Sequence, residues 1–172
     1  MGFGVTLTAV ETALARKYPF MDFWSLPADK LTVGATAADL DFPDVVVSGL
    51  PSGATIKRAV AILTARAIKD TSGSDNYIDQ ANKTLRVKKS TGTWGTDDIV
   101  AITFDQNSLY CAGGTKEPGI AIIGSQDVKA EVDGDGTYNF RSDQTNRSDA
   151  ISALADSLEL YDLQVGIRIF FE

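Results

Sequence analysis

The sequence predicts a mainly β, single-domain β-sandwich of the jelly-roll kind, preceded by a short N-terminal arm that is part helical and part aromatic. Three observations carry this. Near the C-terminus, Leu163, Val165, Ile167, Ile169 and Phe171 alternate with Gln164, Gly166, Arg168 and Phe170, the pattern of a half-buried strand. About nine short strand candidates are separated by turn clusters rich in Gly, Ser, Thr, Asn and Asp. Helix signals are few, and there is neither an internal repeat of fixed period nor a low-complexity stretch.

Taken in order, residues 1–30 read as the arm and residues 31–172 as the sandwich domain. Thr8-Ala9-Val10-Glu11 has capping-box spacing, so a short helix is expected from Ala9 to Lys17, stopping before Pro19. Phe20, Met21, Phe23, Trp24 and Leu26 then crowd ahead of Pro27. Such a cluster either plugs the domain's own core or docks on a neighbouring subunit, because large apolar patches rarely stay exposed. The docking reading makes Phe20, Met21, Phe23 and Trp24 candidate interface residues.

Leu31 to Val33 and Val45 to Ser48 are short strand candidates, the second closed by Gly49-Leu50-Pro51-Ser52-Gly53. Ala54 to Asp70 fits two periods. Ile56, Val60, Leu63 and Ala67 match helical steps, whereas Ile56, Arg58, Val60, Ile62, Thr64, Arg66 and Ile68 share one face of a strand. Length and alanines favour the helix. Against it, Lys57 and Arg58 would sit in a first turn that prefers acids, and Asp70 would follow a last turn that prefers bases. The stretch is read as a long central strand, with or without a bulge, and with a helix as the alternative.

Thr84 to Lys89 and Asp98 to Phe104 alternate on either side of a loop from Ser90 to Thr96. Ser108 to Ala112 and Gly119 to Ile123 each end at glycine. Val128, Ala130 and Val132 share one face of a further strand candidate. Asp133-Gly134-Asp135-Gly136, with glycines suited to positive φ, then turns the chain into Thr137 to Phe140 as a hairpin. Ser148 to Leu158 fits a short helix or an ordered loop equally well.

Composition narrows function mainly by exclusion. A chain of 172 residues, 44% hydrophobic and 23% charged, suits one domain with a real core. The net charge of -7 opposes a nucleic-acid surface, which needs clustered Lys and Arg. With no histidine there is no Ser-His-Asp or Cys-His catalysis and no histidine-ligated metal. Cys111, the single cysteine, excludes an internal disulfide and reads as a small buried hydrophobe. No run approaches the ~20 apolar residues of a membrane span, and no signal-peptide pattern opens the chain. Neither nucleic acid nor membrane is expected as a partner.

Two binding chemistries remain. Glu131, Asp133, Asp135, Gly136 and Asn139 fall at the early positions of a calcium loop, but Ser142 stands where the closing bidentate acid belongs and Asp143 comes one residue late. Asp133, Asp135 and Asn139 are thus candidate calcium ligands, beside the plainer reading of a turn; otherwise no cofactor is expected. Trp94 and Tyr77 offer faces on which a sugar could stack, beside the plainer reading of Trp94 as a loop anchor. A two-carboxylate hydrolase carries almost no signal, since among 23 acids some pair is close by chance.

Leu50-Pro51-Ser52-Gly53-Ala54-Thr55-Ile56, Arg66-Ala67-Ile68 and Asp162-Leu163-Gln164-Val165-Gly166-Ile167-Arg168-Ile169, in that order, resemble jelly-roll accessory proteins of tailed-virus particles. The likeness is one of chain style over residues 45–172. It implies a virion location, as a capsid decoration or fibre-type subunit. It also implies a non-enzymatic assembly role in a symmetric homo-oligomer, a trimer foremost, with other virion proteins as partners. A carbohydrate-binding module, with or without calcium, is the alternative function.

Overall fold

The computed structural model describes residues 7–33, 40–70, 76–78, 84–103, 109–111, 116–124, 126–143 and 158–172. Among them one helix, α1 (Ala9–Ala15), precedes twelve strands. The chain runs through β1 (Phe20–Trp24), β2 (Ala28–Val33), β3 (Leu40–Asp41), β4 (Val45–Val47), β5 (Ile56–Asp70) and β6 (Asn76–Ile78). It continues through β7 (Thr84–Lys89), β8 (Asp98–Thr103), β9 (Leu109–Cys111), β10 (Lys116–Ile123), β11 (Gly136–Asp143) and β12 (Leu158–Phe171). Two antiparallel five-stranded sheets form a β-sandwich, as the sequence predicts. The first has the order β1-β12-β5-β10, with β2 following β1 along the same edge of β12. The second has the order β3-β11-β7-β8, with β4 also on β11. A two-stranded ladder, β6 with β9, completes the set.

The first sheet is built on its two longest strands. β5 is a strand of 15 residues, and its pairing with β12 shifts register where Phe170 faces Arg58 and Phe171 faces Ile56, leaving Lys57 as the extra residue of a bulge. Its dual periodicity has a physical cause. Ala59, Ala61 and Leu63 face the core between the sheets, while Val60, Ile62 and Thr64 on the opposite face are buried as well. A strand covered on both sides needs no polar alternation.

The outer face of this sheet is closed in part by the N-terminal segment. Thr8 caps α1: its hydroxyl accepts from the Glu11 amide, and the Glu11 carboxylate accepts from the Thr8 amide. The other Glu11 oxygen accepts from Arg168 Nη1 at 3.1 Å. Asp22, opposite Arg168 in the β1–β12 register, accepts from Nε and Nη2 at 2.7 and 2.8 Å. Glu11 and Arg168 are each only 2% exposed, so α1 is fastened to the sheet by a buried ion pair that the more exposed Asp22 extends into a triad. The Phe20 ring lies 5.4 Å from that of Phe170, and Trp24 lies on Gly166, where a Cβ would come within 2.7 Å of the indole.

Phe23 joins Ile167 and Ile169 in the core, and Met21 packs against it. The second sheet supplies Val45, Val47, Leu85, Val87, Tyr138 and Phe140 from its inner face. β2 crosses residue 30, so pairing with β12 continues through the expected boundary between arm and sandwich.

Two local expectations are corrected. Val128, Ala130 and Val132 do not share a strand face: the Glu131 and Val132 amides donate back to the Val128 carbonyl, making a helical turn. That turn buries Val128 and Val132 and exposes Ala130. The Asp-Gly run is not a hairpin turn either, since β11 pairs with β3, β4 and β7, and the positive-φ glycines are Gly49, Gly53 and Gly95 rather than Gly134 or Gly136. The segment Ser148 to Ser157 lies outside the described residues, as does the Cys111 side chain.

Candidate functional site

A surface groove runs along the β3–β4 side of the second sheet, and its two halves share Asp44. One half is a hollow of about 260 Å³ lined by Asp41, Phe42, Asp44, Trp94, Asn139 and Phe140. The other, of about 410 Å³, is lined by Trp24, Leu26, Pro43, Asp44 and Val46. Both tryptophans of the chain, 70 positions apart in sequence, therefore border one groove.

The polar half rises from the outer face of the second sheet. Lys88 lies opposite Asn139, and Arg141 is two residues on, so these side chains project on one side while Val87 and Phe140 fill the core. Trp94 is placed over them by the β7–β8 loop. The Asp97 carboxylate accepts from the Thr93 amide at 2.7 Å, and that of Asp98 accepts from the Gly95 amide at 2.6 Å. Gly95 has φ +85°, a conformation other residues adopt at a cost.

Beneath the indole, Lys88 Nζ is 5.0 Å and the Arg141 guanidinium 4.6 Å from a ring centroid, both within cation–π reach. Lys88 is 6% exposed; its ammonium donates to Asn139 Oδ1 at 2.9 Å and to the Lys89 carbonyl at 3.2 Å. Arg141 grips Asp41 bidentately at 2.6 and 3.0 Å. Asn139 Nδ2 donates to Asp44 Oδ1 at 2.7 Å. Both cations are thus engaged, and Asp41 and Asp44 are the exposed carboxylates of the hollow.

The apolar half is defined by exposure: Leu26 is 80% and Val46 57% exposed, beside half-buried Trp24 and Pro43. Of the interface residues named from sequence, Trp24 lines this groove and Phe20 is 39% exposed, whereas Phe23 and Met21 are committed to the protein's own core. Phe23, at 9% exposure, offers little face to a neighbour. Leu26, Pro43 and Val46 were not legible as neighbours, because only the fold brings β1 beside β4.

The calcium-ligand candidates turn toward three different protein partners. Asp133 pairs with Lys89. Asp135 accepts from the Gly49 and Leu50 amides at 3.0 and 3.2 Å. Asn139 belongs to the Trp94 network described above. Glu131 has its carboxyl raised above the usual value, first by burial and then by the charge of Asp97. Among the described residues no three His, Cys, Asp or Glu side chains are grouped to hold a metal ion. Tyr77 lies in β6 opposite Tyr110 of β9, in the separate ladder. Comparison with protein-family models and with curated proteins finds no match.

Proposed function

We propose that this chain is a non-enzymatic structural subunit of a virus particle, of the decoration or fibre kind, that works by assembling with copies of itself and with other virion proteins. The observation that carries the reading is the apolar half of the groove. Leu26 and Val46 stand largely in water beside Trp24 and Pro43, and among the described residues no side chain covers them.

Magnitude sets the mode of assembly. Burying an exposed Leu or Val contributes about 1.5–3 kcal/mol each, so covering Leu26 and Val46 in proportion to their exposure yields about 2–4 kcal/mol. Association costs at least about 4 kcal/mol in lost rigid-body freedom. One such contact does not hold two copies together, but a closed ring repeats it at every interface, and a particle surface multiplies it. A symmetric oligomer, a trimer foremost, is the arrangement consistent with weak repeated contacts.

Leu26→Asp and Val46→Asp, both at exposed positions, test this. Chemical cross-linking of the unaltered protein should give a single closed oligomer, and either variant should abolish it while leaving the far-ultraviolet circular dichroism of a β protein unchanged. Cross-linking identical in both variants and the parent contradicts the proposal.

A further inference from the structure

The polar half of the groove has a chemistry that assembly does not use, and we infer that it is a binding site for a neutral carbohydrate, stacked on Trp94 and hydrogen-bonded by Asp44 and Asn139. This goes beyond the assembly reading and is independent of it. The ligand class follows from what the groove contains. A half-buried indole that lines a hollow together with a carboxylate and an amide is suited to a ring having one apolar C–H face and a rim of hydroxyls. Asp44 and Asn139 are bonded to each other, and Asn139 Oδ1 also accepts from Lys88, so a hydroxyl would draw on the second Asn139 N–H as donor and on the further lone pairs of the Asp44 carboxylate as acceptors. At about 260 Å³ the hollow is just below the ~300–1,000 Å³ of most small-molecule pockets. It accommodates one sugar ring, and its open side lets a longer chain continue.

Charge decides against the other ligands. An anion would meet Asp44 and Asp41, while Lys88 is buried and held by Asn139 and a backbone carbonyl, and Arg141 is held bidentately by Asp41. A cation would be drawn to Asp44, but it would meet Lys88 and Arg141 at Trp94, whose ring they already approach within 5.0 Å, and so could not use the indole. A neutral polyhydroxyl ligand avoids both repulsions. The two cations also fix the indole, so little side-chain freedom is lost on stacking.

Affinity electrophoresis in native gels containing laminarin, xylan, dextran or hydroxyethylcellulose, with heparin as the charged control, tests the site. The unaltered protein should be retarded by at least one of the four neutral polymers and not by heparin. Trp94→Ala and, at an exposed position, Asp44→Ala should each weaken the retardation at least tenfold. Leu26→Asp should leave it unchanged, which separates this site from the assembly surface. Thermal melts show that each variant is folded. No retardation by any neutral polymer, retardation by heparin alone, or retardation indifferent to folded Trp94→Ala and Asp44→Ala would each overturn the inference.

Discussion

Removing the Glu11 carboxylate tests how the N-terminal segment is held on the first sheet. Glu11 and Arg168 are both 2% exposed, and taking one partner from a buried ion pair costs about 3–5 kcal/mol, because the remaining charge is left in a poor solvent. Here the lower end applies, since Asp22 keeps two hydrogen bonds to the guanidinium and its side chain is 26% exposed. Glu11→Ala also loses the return bond to the Thr8 amide, worth about 1 kcal/mol, for a total near 4 kcal/mol. Glu11→Gln keeps an oxygen for that amide and should lose about 3 kcal/mol. At about 2–4 °C per kcal/mol for a chain of this size, Glu11→Ala lowers the melting temperature by about 8–16 °C. Urea unfolding followed by tryptophan fluorescence measures it, since Trp24 sits on the same sheet face. A loss below about 1 kcal/mol, the value of an exposed ion pair, would refute the buried Glu11–Arg168 pair.

Further outcomes follow from single contacts. Gly166→Ala places a methyl group within 3 Å of the Trp24 ring and about 3.0 Å from the Phe23 carbonyl. It should cost about 1–3 kcal/mol by overpacking and shift the Trp24 emission. Tyr138 is raised above the usual phenol value by burial, and Lys89 above the usual ammonium value by its hydrogen bond to Asp133. Both contributions are complete below the unfolded values near pH 10 and are lost as pH rises through the higher folded ones, so urea midpoints should fall in that window. Tyr138→Phe should make the fall shallower; an unchanged slope would remove tyrosine from the account. Asp135→Ala frees the Gly49 and Leu50 amides and should cost about 1–2 kcal/mol. Because Asp135 is spent on those amides, calorimetric titration with millimolar calcium should show no saturable heat.

How much was legible varies with the range over which each feature is encoded. β12 declared itself because its apolar-polar alternation is local, although Gly166, Arg168 and Phe170 on its outer face are buried as fully as Val165, Ile167 and Ile169 on its inner one, so it is not the half-buried strand the pattern predicts. α1 declared itself through a capping box contained within four residues. β5 was ambiguous because Val60 and Ile62 are buried on the face opposite Ala61 and Leu63, erasing the polar half of the pattern. Val128 and Val132 misled because a spacing of four fits one strand face and one helical turn alike, and the turn prevails through its bonds to the Val128 carbonyl. The groove was only partly legible. Trp94 stood out as an aromatic in a Gly-Thr loop, but its pairing with Lys88, Arg141 and Asn139 depends on the β7–β11 register. The meeting of Leu26 with Val46 depends on two sheets closing together, and no local pattern reports that.

The most direct measurement on the assembly proposal is the molar mass by light scattering across a concentration series from about 1 to several hundred µM, which covers net association free energies of about 5–8 kcal/mol per step. The account predicts a rise to one fixed multiple of the chain mass, three foremost, and monomer throughout for Leu26→Asp. A parent protein that stays monomeric over the whole series, or a Leu26→Asp variant that assembles equally well, would contradict it.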